Sequence, residues 1–145
     1  MRRDRRANHF GLLQVPVISI IEDDASVRCA MHNLVRSLGF TACTYACAED
    51  FLRSQRLDDT ACIIADVQMP GLSGVELQSV LLSQGRHTPF IFITAFNGDA
   101  VRARAMNAGA VAFLSKPVDG STLIQCLDKA LTRERGQQQR PQTNV

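Results

Sequence analysis

Residues 61–71 read Ala-Cys-Ile-Ile-Ala-Asp-Val-Gln-Met-Pro-Gly. No other stretch limits the possible folds so tightly. An apolar run of this length, with nothing polar to face water, reads as a strand buried on both faces. Pro70 and Gly71 close the loop after it. In an open α/β sheet the carboxyl ends of the strands are where ligands bind, which makes Asp66 the first candidate functional residue. By itself an Asp before Pro-Gly is an ordinary helix cap or turn residue, so its weight depends on what arrives beside it.

The rest of the chain supplies four more strand-helix units. Residues 15–21 are apolar and β-branched and read as the first strand. Val27, Ala30, Met31, Leu34, Val35 and Leu38 then recur at helical spacing, with Asp24 or a neighbour as cap and Gly39 as a left-handed terminator. Residues 40–45 read as a second strand, and 48–55 as a short helix anchored by Phe51 and Leu52. After the third strand, Ser73 and Glu76 have the spacing of a capping box. They open a helix that buries Leu77, Val80 and Leu81 and ends near Gly85. Residues 89–93 read as the fourth strand. A helix over 97–108 follows, carries Arg102 and Arg104 outward and stops at Gly109. Residues 111–114 read as the fifth strand. Asp119 caps a last helix with Leu123, Ile124, Leu127, Ala130 and Leu131 inward. From Gly136 the chain is polar and Gln-rich, with no further element expected. This divides it into a basic disordered arm at 1–13, a folded domain at 14–133 and a linker-like tail at 134–145.

Five β-α units with short connections and right-handed crossovers require a parallel sheet covered on both faces. The expected architecture is a doubly wound (βα)5 α/β fold of strand order 2-1-3-4-5. At 145 residues the chain is long enough for one domain with a substantial core. A net charge of +2, with the Arg residues gathered at the two ends, gives no argument for nucleic acid. Cys29, Cys43, Cys47, Cys62 and Cys126 are odd in number and lack a C-x-x-C pair. That points to reduced thiols used as small apolar residues, hence a cytoplasmic protein. The apolar stretch after the basic start runs directly into Glu22-Asp23-Asp24, without a cleavage site, and no segment is long enough to span a membrane.

In this layout Glu22, Asp23 and Asp24 follow the first strand, Asp66 ends the third, Thr94 the fourth, and Lys116, before Pro117, the fifth. All converge on one cleft. Each has a use if the cleft handles a phosphoryl group. Clustered carboxylates suit a hard divalent cation such as Mg²⁺. Asp66 suits a nucleophile that forms an acyl phosphate. The Lys116 ammonium and the Thr94 hydroxyl suit phosphoryl oxygens.

These residues resemble a known family. Ile-Ile-Glu-Asp-Asp at 20–24, Ala-Asp-Val-Gln-Met-Pro-Gly-Leu-Ser-Gly at 65–74, Ile-Thr-Ala at 93–95, Ala-Met-Asn-Ala-Gly-Ala at 105–110 and Phe-Leu-Ser-Lys-Pro at 113–117 are similar to the receiver domain of two-component response regulators. The details resemble the FixJ/LuxR-type branch. The resemblance covers about residues 15–133 and implies a flavodoxin-like fold. It implies that Asp66 accepts a phosphoryl group from a sensor histidine kinase or phosphotransfer protein. It further implies that Asp23, Asp66 and the Gln68 backbone carbonyl bind Mg²⁺, with Glu22 acting through a metal-bound water. Thr94 and Lys116 would hold the phosphoryl oxygens, and the Lys116–Pro117 bond would be cis. Phe113 takes the place of the aromatic switch residue, turning inward with Thr94 on phosphorylation. This would reshape the face made by the fourth helix, fifth strand and fifth helix, for a downstream partner or a second copy. Glu22 stands where Asp is commoner, and Gln68 and Phe96 occupy positions that tune loss of the phosphoryl group. A DNA-binding domain, usual in that branch, has no counterpart among these residues.

Two other classes compete. A non-phosphorylated interaction module on the same fold would lack the Asp or the Lys, and neither is missing. An enzyme on this fold would need other machinery. There is no Walker A or G-x-G-x-x-G pattern, and His9, His32 and His87 show no triad or metal spacing. The expected chain is therefore a signalling phosphoacceptor, with only self-directed phosphotransfer and autodephosphorylation.

Overall fold

The computed structural model describes residues 15–95 and 98–139, the last six by backbone alone. Five strands and five helices alternate along it: β1 (Val17–Ile21), α1 (Ala25–Ser37), β2 (Thr41–Tyr45), α2 (Ala48–Leu52), β3 (Thr60–Asp66), α3 (Gly74–Ser83), β4 (Phe90–Thr94), α4 (Asp99–Asn107), β5 (Ala112–Ser115) and α5 (Gly120–Gln139). The strands form one sheet of order β2-β1-β3-β4-β5, every neighbouring pair parallel. This is the doubly wound architecture that the β-α repeat requires.

Successive residues of a strand point to opposite faces, and the central strands feed two separate cores this way. Ile63, Ala65, Phe90 and Phe92 pack with Phe51 of α2, Leu77 and Leu81 of α3 and Ala105 of α4. Cys62, Ile64, Ile91 and Ile93 pack with Met31 and Val35 of α1 and Leu123, Leu127 and Ala130 of α5. The helices thus divide into α2–α4 on one face and α1 with α5 on the other. Ser19, the polar interruption of β1, is fully buried, and its hydroxyl pairs with the Thr60 hydroxyl at 2.7 Å. Thr60 in turn donates to the Arg56 carbonyl at 2.7 Å.

The expected punctuation is in place. The Asp24 side chain accepts from Ser26 N and Val27 N at the start of α1, and Ser73 with Glu76 forms a reciprocal capping box on α3. Gly39 and Gly109 follow α1 and α4 with positive φ. Asp119 accepts from Thr122 N at 3.0 Å at the start of α5.

Three expectations are corrected. Ala30 is exposed, because the sheet-facing stripe of α1 runs through Val27, Met31, Leu34, Val35 and Leu38. Ile124 is 46% exposed rather than inward. Leu123, Leu127 and Ala130 occupy the buried stripe of α5 at spacings of four and three, and the next residue lies about 100° around the helix. Thirdly, α5 continues to Gln139, beyond the point where a polar tail was expected. Gln is a good helix former, and a reading based on polarity undervalues that propensity. The arm at 1–13, with His9, and residues 140–145 lie outside the described residues. No helix among the described residues is long and apolar enough to cross a membrane.

Candidate functional site

The cleft at the carboxyl edge of the sheet is built from three connections. The first, between β1 and α1, is short. Glu22 is completely buried. Its N–H donates to the Tyr45 carbonyl at 3.0 Å, and its own carbonyl accepts from Arg28 Nη1 at 2.8 Å. The Glu22 Oε2 atom accepts from Asp24 N at 3.0 Å. Asp23 is left exposed at the mouth. Of the three consecutive acids, Asp24 does the helix capping and the other two face the cleft.

The second connection, between β3 and α3, carries Asp66, which is 6% exposed. Asp66 Oδ1 accepts from Gln68 N at 3.1 Å, and Oδ2 accepts from Lys116 Nζ at 2.8 Å. Gly74 N donates to the Val67 carbonyl at 3.1 Å and closes the loop on itself. The first residue of α3 has to be glycine. A Cβ at Gly74 would lie 2.4 Å from the Asp66 carbonyl oxygen and 3.1 Å from Phe92 Cε1. In the sequence Gly74 stands between Ser73 and Glu76 and closes the 65–74 motif, and neither shows this close approach. A glycine at the first position of a helix, where most residues are better helix formers, was the available signal.

The third connection follows β5. Lys116 N donates to the Thr94 carbonyl at 2.9 Å, so the ends of β4 and β5 are tied together. The Lys116–Pro117 bond is cis. Thr94 is buried, one residue beyond the pairing of Asp66 with Ile93. Lys116 Nζ lies 2.8 Å from Glu22 Oε1 and 2.8 Å from Asp66 Oδ2. It bridges the first two connections.

Burial works against the Lys116 charge, but hydrogen bonds and attraction from Asp66 and Glu22 outweigh it and hold its pKa above the ordinary value. Burial pushes the Glu22 carboxyl up, and the Lys116 and Asp24 contacts offset this only in part. Glu22 Oε1 is the telling atom. It is buried, and the Lys116 ammonium at 2.8 Å is what compensates its charge. Ligand atoms of Glu22, Asp23 and Asp66 all lie within 4.8 Å of one another. Three carboxylates against one ammonium leave an excess of negative charge. The all-oxygen donor set fits a hard divalent cation such as Mg²⁺.

The structure therefore brings together Glu22, Asp23, Asp66 and Lys116, with Thr94 and Gln68 on adjoining backbone. Phe113 lies apart on β5. Its ring is buried, 6.2 Å from that of Phe92. Arg102 of α4, expected to point outward, reaches back to it. Its guanidinium carbon is 5.7 Å from the Phe113 ring centroid and Nη1 donates to the Phe113 carbonyl at 3.3 Å. Phe96 lies outside the described residues.

Residues 18–128 match the family described as the response regulator receiver domain. Among individual proteins, the chain is 37% identical over 127 residues to nodulation protein W of Bradyrhizobium diazoefficiens, covering 88% of this chain and 56% of that protein. It is 34% identical over 130 residues to the transcriptional regulatory protein FixJ of Azorhizobium caulinodans, covering 88% and 62%. The solved structure of response regulator StyR superposes with a TM-score of 0.80 at 37% identity, covering 87% of this chain and 64% of that one. The chain thus spans a little over half the length of the curated relatives named here.

Proposed function

The chain belongs to the response regulator receiver family, with relatives of the FixJ type, and from that premise we propose that it accepts a phosphoryl group on Asp66. The observation that carries this reading is the placement of one carboxylate at the end of a buried strand. Lys116 lies 2.8 Å from it, and ligand atoms of Glu22 and Asp23 lie within 4.8 Å of its own. A carboxylate oxygen of Asp66 attacks phosphorus, the bond from phosphorus to the donor's leaving atom breaks, and an acyl phosphate forms. With a sensor histidine kinase or a phosphotransfer protein as donor, the leaving atom is an imidazole nitrogen.

Lys116 is held charged by its two carboxylate partners. It is placed to shift from Asp66 toward a phosphoryl oxygen as charge moves onto the new group. The Thr94 hydroxyl supplies a second donor from the neighbouring strand end. Glu22, Asp23, Asp66 and the Gln68 carbonyl are the groups that would hold Mg²⁺, with Glu22 acting through water. When bound, the ion supplies neutralisation of the charge that builds on the transferring phosphoryl group. No other substrate is turned over, and the chain is a phosphoacceptor rather than an enzyme.

The output runs through a population shift. Thr94 moves toward the phosphoryl group and the inward position of Phe113 becomes the favoured one. The face of α4, β5 and α5 is then read by a downstream partner or a second copy. On this reading the exchange takes place in the cytoplasm.

The test is incubation with acetyl phosphate, with and without Mg²⁺, followed by intact mass. The expected result is a Mg²⁺-dependent gain of one phosphoryl group that is abolished in Asp66→Asn. Labelling of that variant at the native rate would overturn the assignment.

A further inference from the structure

Glu49 is the second residue of α2, outside the carboxylate cluster, and no part of the phosphoacceptor reading uses it. Its Oε2 accepts from Leu72 N at 3.0 Å, across 23 residues of sequence. Leu72 belongs to the β3–α3 connection, the same loop that carries the Gln68 carbonyl. The loop is shaped to receive this carboxylate. Gly71 has φ +77°, a region that side chains rarely adopt, and a Cβ there would stand 2.8 Å from Glu49 Oε2. Glu49 and Gly71 therefore fit together as a pair, one supplying an acceptor and the other the space for it. Backbone N–H groups, its own and that of Leu72, hold the Glu49 carboxyl below the ordinary carboxylate range, so it is ionised at neutral pH.

The other fastenings of this loop lie near its two ends and are local, apart from Val67 N, which donates to the Ile93 carbonyl of β4 at 3.1 Å. Gln68 N bonds Asp66, Gly74 N bonds Val67, and Ser73 bonds Glu76. They fix the two ends of the connection. Glu49 fixes its outer turn from a different element. We propose that Glu49 is a positioning residue for the phosphoacceptor loop, holding residues 67–72 in the form in which the Gln68 carbonyl and Asp66 together serve a divalent cation. The inference rests on the phosphoacceptor reading. Groups that orient metal ligands from one contact away commonly control affinity by 10- to 100-fold.

The test compares wild type, Glu49→Ala and Glu49→Gln in the full chain, by Mg²⁺ calorimetry and by phosphoryl gain from acetyl phosphate. Thermal unfolding is followed with and without Mg²⁺. Glu49→Ala is expected to weaken Mg²⁺ binding about tenfold, slow phosphoryl gain in proportion and shrink the Mg²⁺-induced rise in Tm. Glu49→Gln keeps an acceptor oxygen and is expected to recover most of the affinity. A merely structural role would lower Tm without metal and leave the Mg²⁺ increment and affinity unchanged. That result, with wild type active, overturns the positioning role alone. A wild type that neither binds Mg²⁺ nor gains a phosphoryl group overturns the phosphoacceptor reading, and this inference with it. Should Glu49→Ala fail to fold, Glu49→Asp, whose shorter side chain draws the carboxylate away from Leu72 N, tests the same contact, with the same weakened Mg²⁺ binding expected and an unchanged affinity overturning the role.

Discussion

The β1–α1 connection is three residues long, Glu22 to Asp24, and all three are acids, whereas the β3–α3 connection is seven long, Val67 to Ser73, and follows the single carboxylate of Asp66 at the end of β3. The short one combines local bonds with contacts to Glu22 from Tyr45, Arg28 and Lys116. Asp24 caps the helix that follows, and the Asp24 N–H holds the Glu22 carboxylate. The long one is also held from elsewhere, by Glu49 of α2 at its outer turn and by the Ile93 carbonyl of β4 at its start, while Lys116, just after β5, holds the Asp66 that precedes it and the absent side chain of Gly74 lets it close. A short loop has few conformations to lose, so bonds at Glu22 and Asp24 suffice to fix it. A longer one has more conformational entropy to overcome and needs fastenings along its length. Lys116 contacts Glu22 of the short loop and Asp66 at the root of the long one, and joins them into a single site.

The largest expected effect comes from removing that bridge. Lys116→Met leaves Glu22 and Asp66 buried with uncompensated charge. Breaking a buried ion pair costs roughly 3–5 kcal/mol. The Lys116 side chain is 18% exposed, so the lower end of that range applies. The pH dependence has a definite sign. Lys116 titrates above its ordinary value of 10.5, so its contribution is complete below that pH and is lost as pH rises through the higher folded value. Denaturant unfolding near pH 7 and on the alkaline limb should show the wild type losing this increment at high pH and the variant lacking it throughout. Mg²⁺ should restore part of the variant's stability. Equal stability of the two proteins at pH 7 would mean that the two loops do not depend on a common charge.

Gly74→Ala should act on the long loop alone. The added methyl cannot stand 2.4 Å from the Asp66 carbonyl, so the start of α3 or the end of β3 must shift. A displacement of about 1 Å at a reacting group can cost about 10²-fold in rate. Phosphoryl gain from acetyl phosphate should fall by that order while the protein stays folded, as followed by circular dichroism. A rate within twofold of wild type would show that the loop tolerates displacement and that its several fastenings are redundant.

The same contrast explains what could be seen in the sequence. The sheet order, the strand ends and the gathering of Glu22, Asp23, Asp66, Thr94 and Lys116 follow from apolar runs, caps and crossover handedness, all of which are local or topological. Asp24 as a cap and Ser73 with Glu76 as a capping box are visible for the same reason. Glu49, Arg28 and Arg102 were not visible as site residues, since their partners Leu72, Glu22 and Phe113 lie 23, 6 and 11 residues away. No periodicity links such pairs. Arg102 looked like any exposed helix charge, and only the fold sets it over the Phe113 ring. Ile124 shows the limit of pattern reading within a helix, because adjacent apolar residues cannot both lie on a stripe that Leu123, Leu127 and Ala130 already fill.

The smallest expected effect belongs to the short loop. Asp24→Ala removes the acceptor for Ser26 N and Val27 N at 2.9 and 3.1 Å. Loss of such a cap costs about 1 kcal/mol, which for a domain of this size is a fall in Tm of about 3–4 °C. Phosphoryl gain should change by less than about twofold. The bond that orients Glu22 comes from the Asp24 backbone, which the substitution keeps, and the Glu22 carbonyl stays anchored by Arg28. Stability and activity therefore separate at this position. A large loss of phosphoryl gain in Asp24→Ala would show that the cap also sets the direction of the Glu22 carboxylate. The short loop would then depend on a fastening of its own, as the long one does at Glu49.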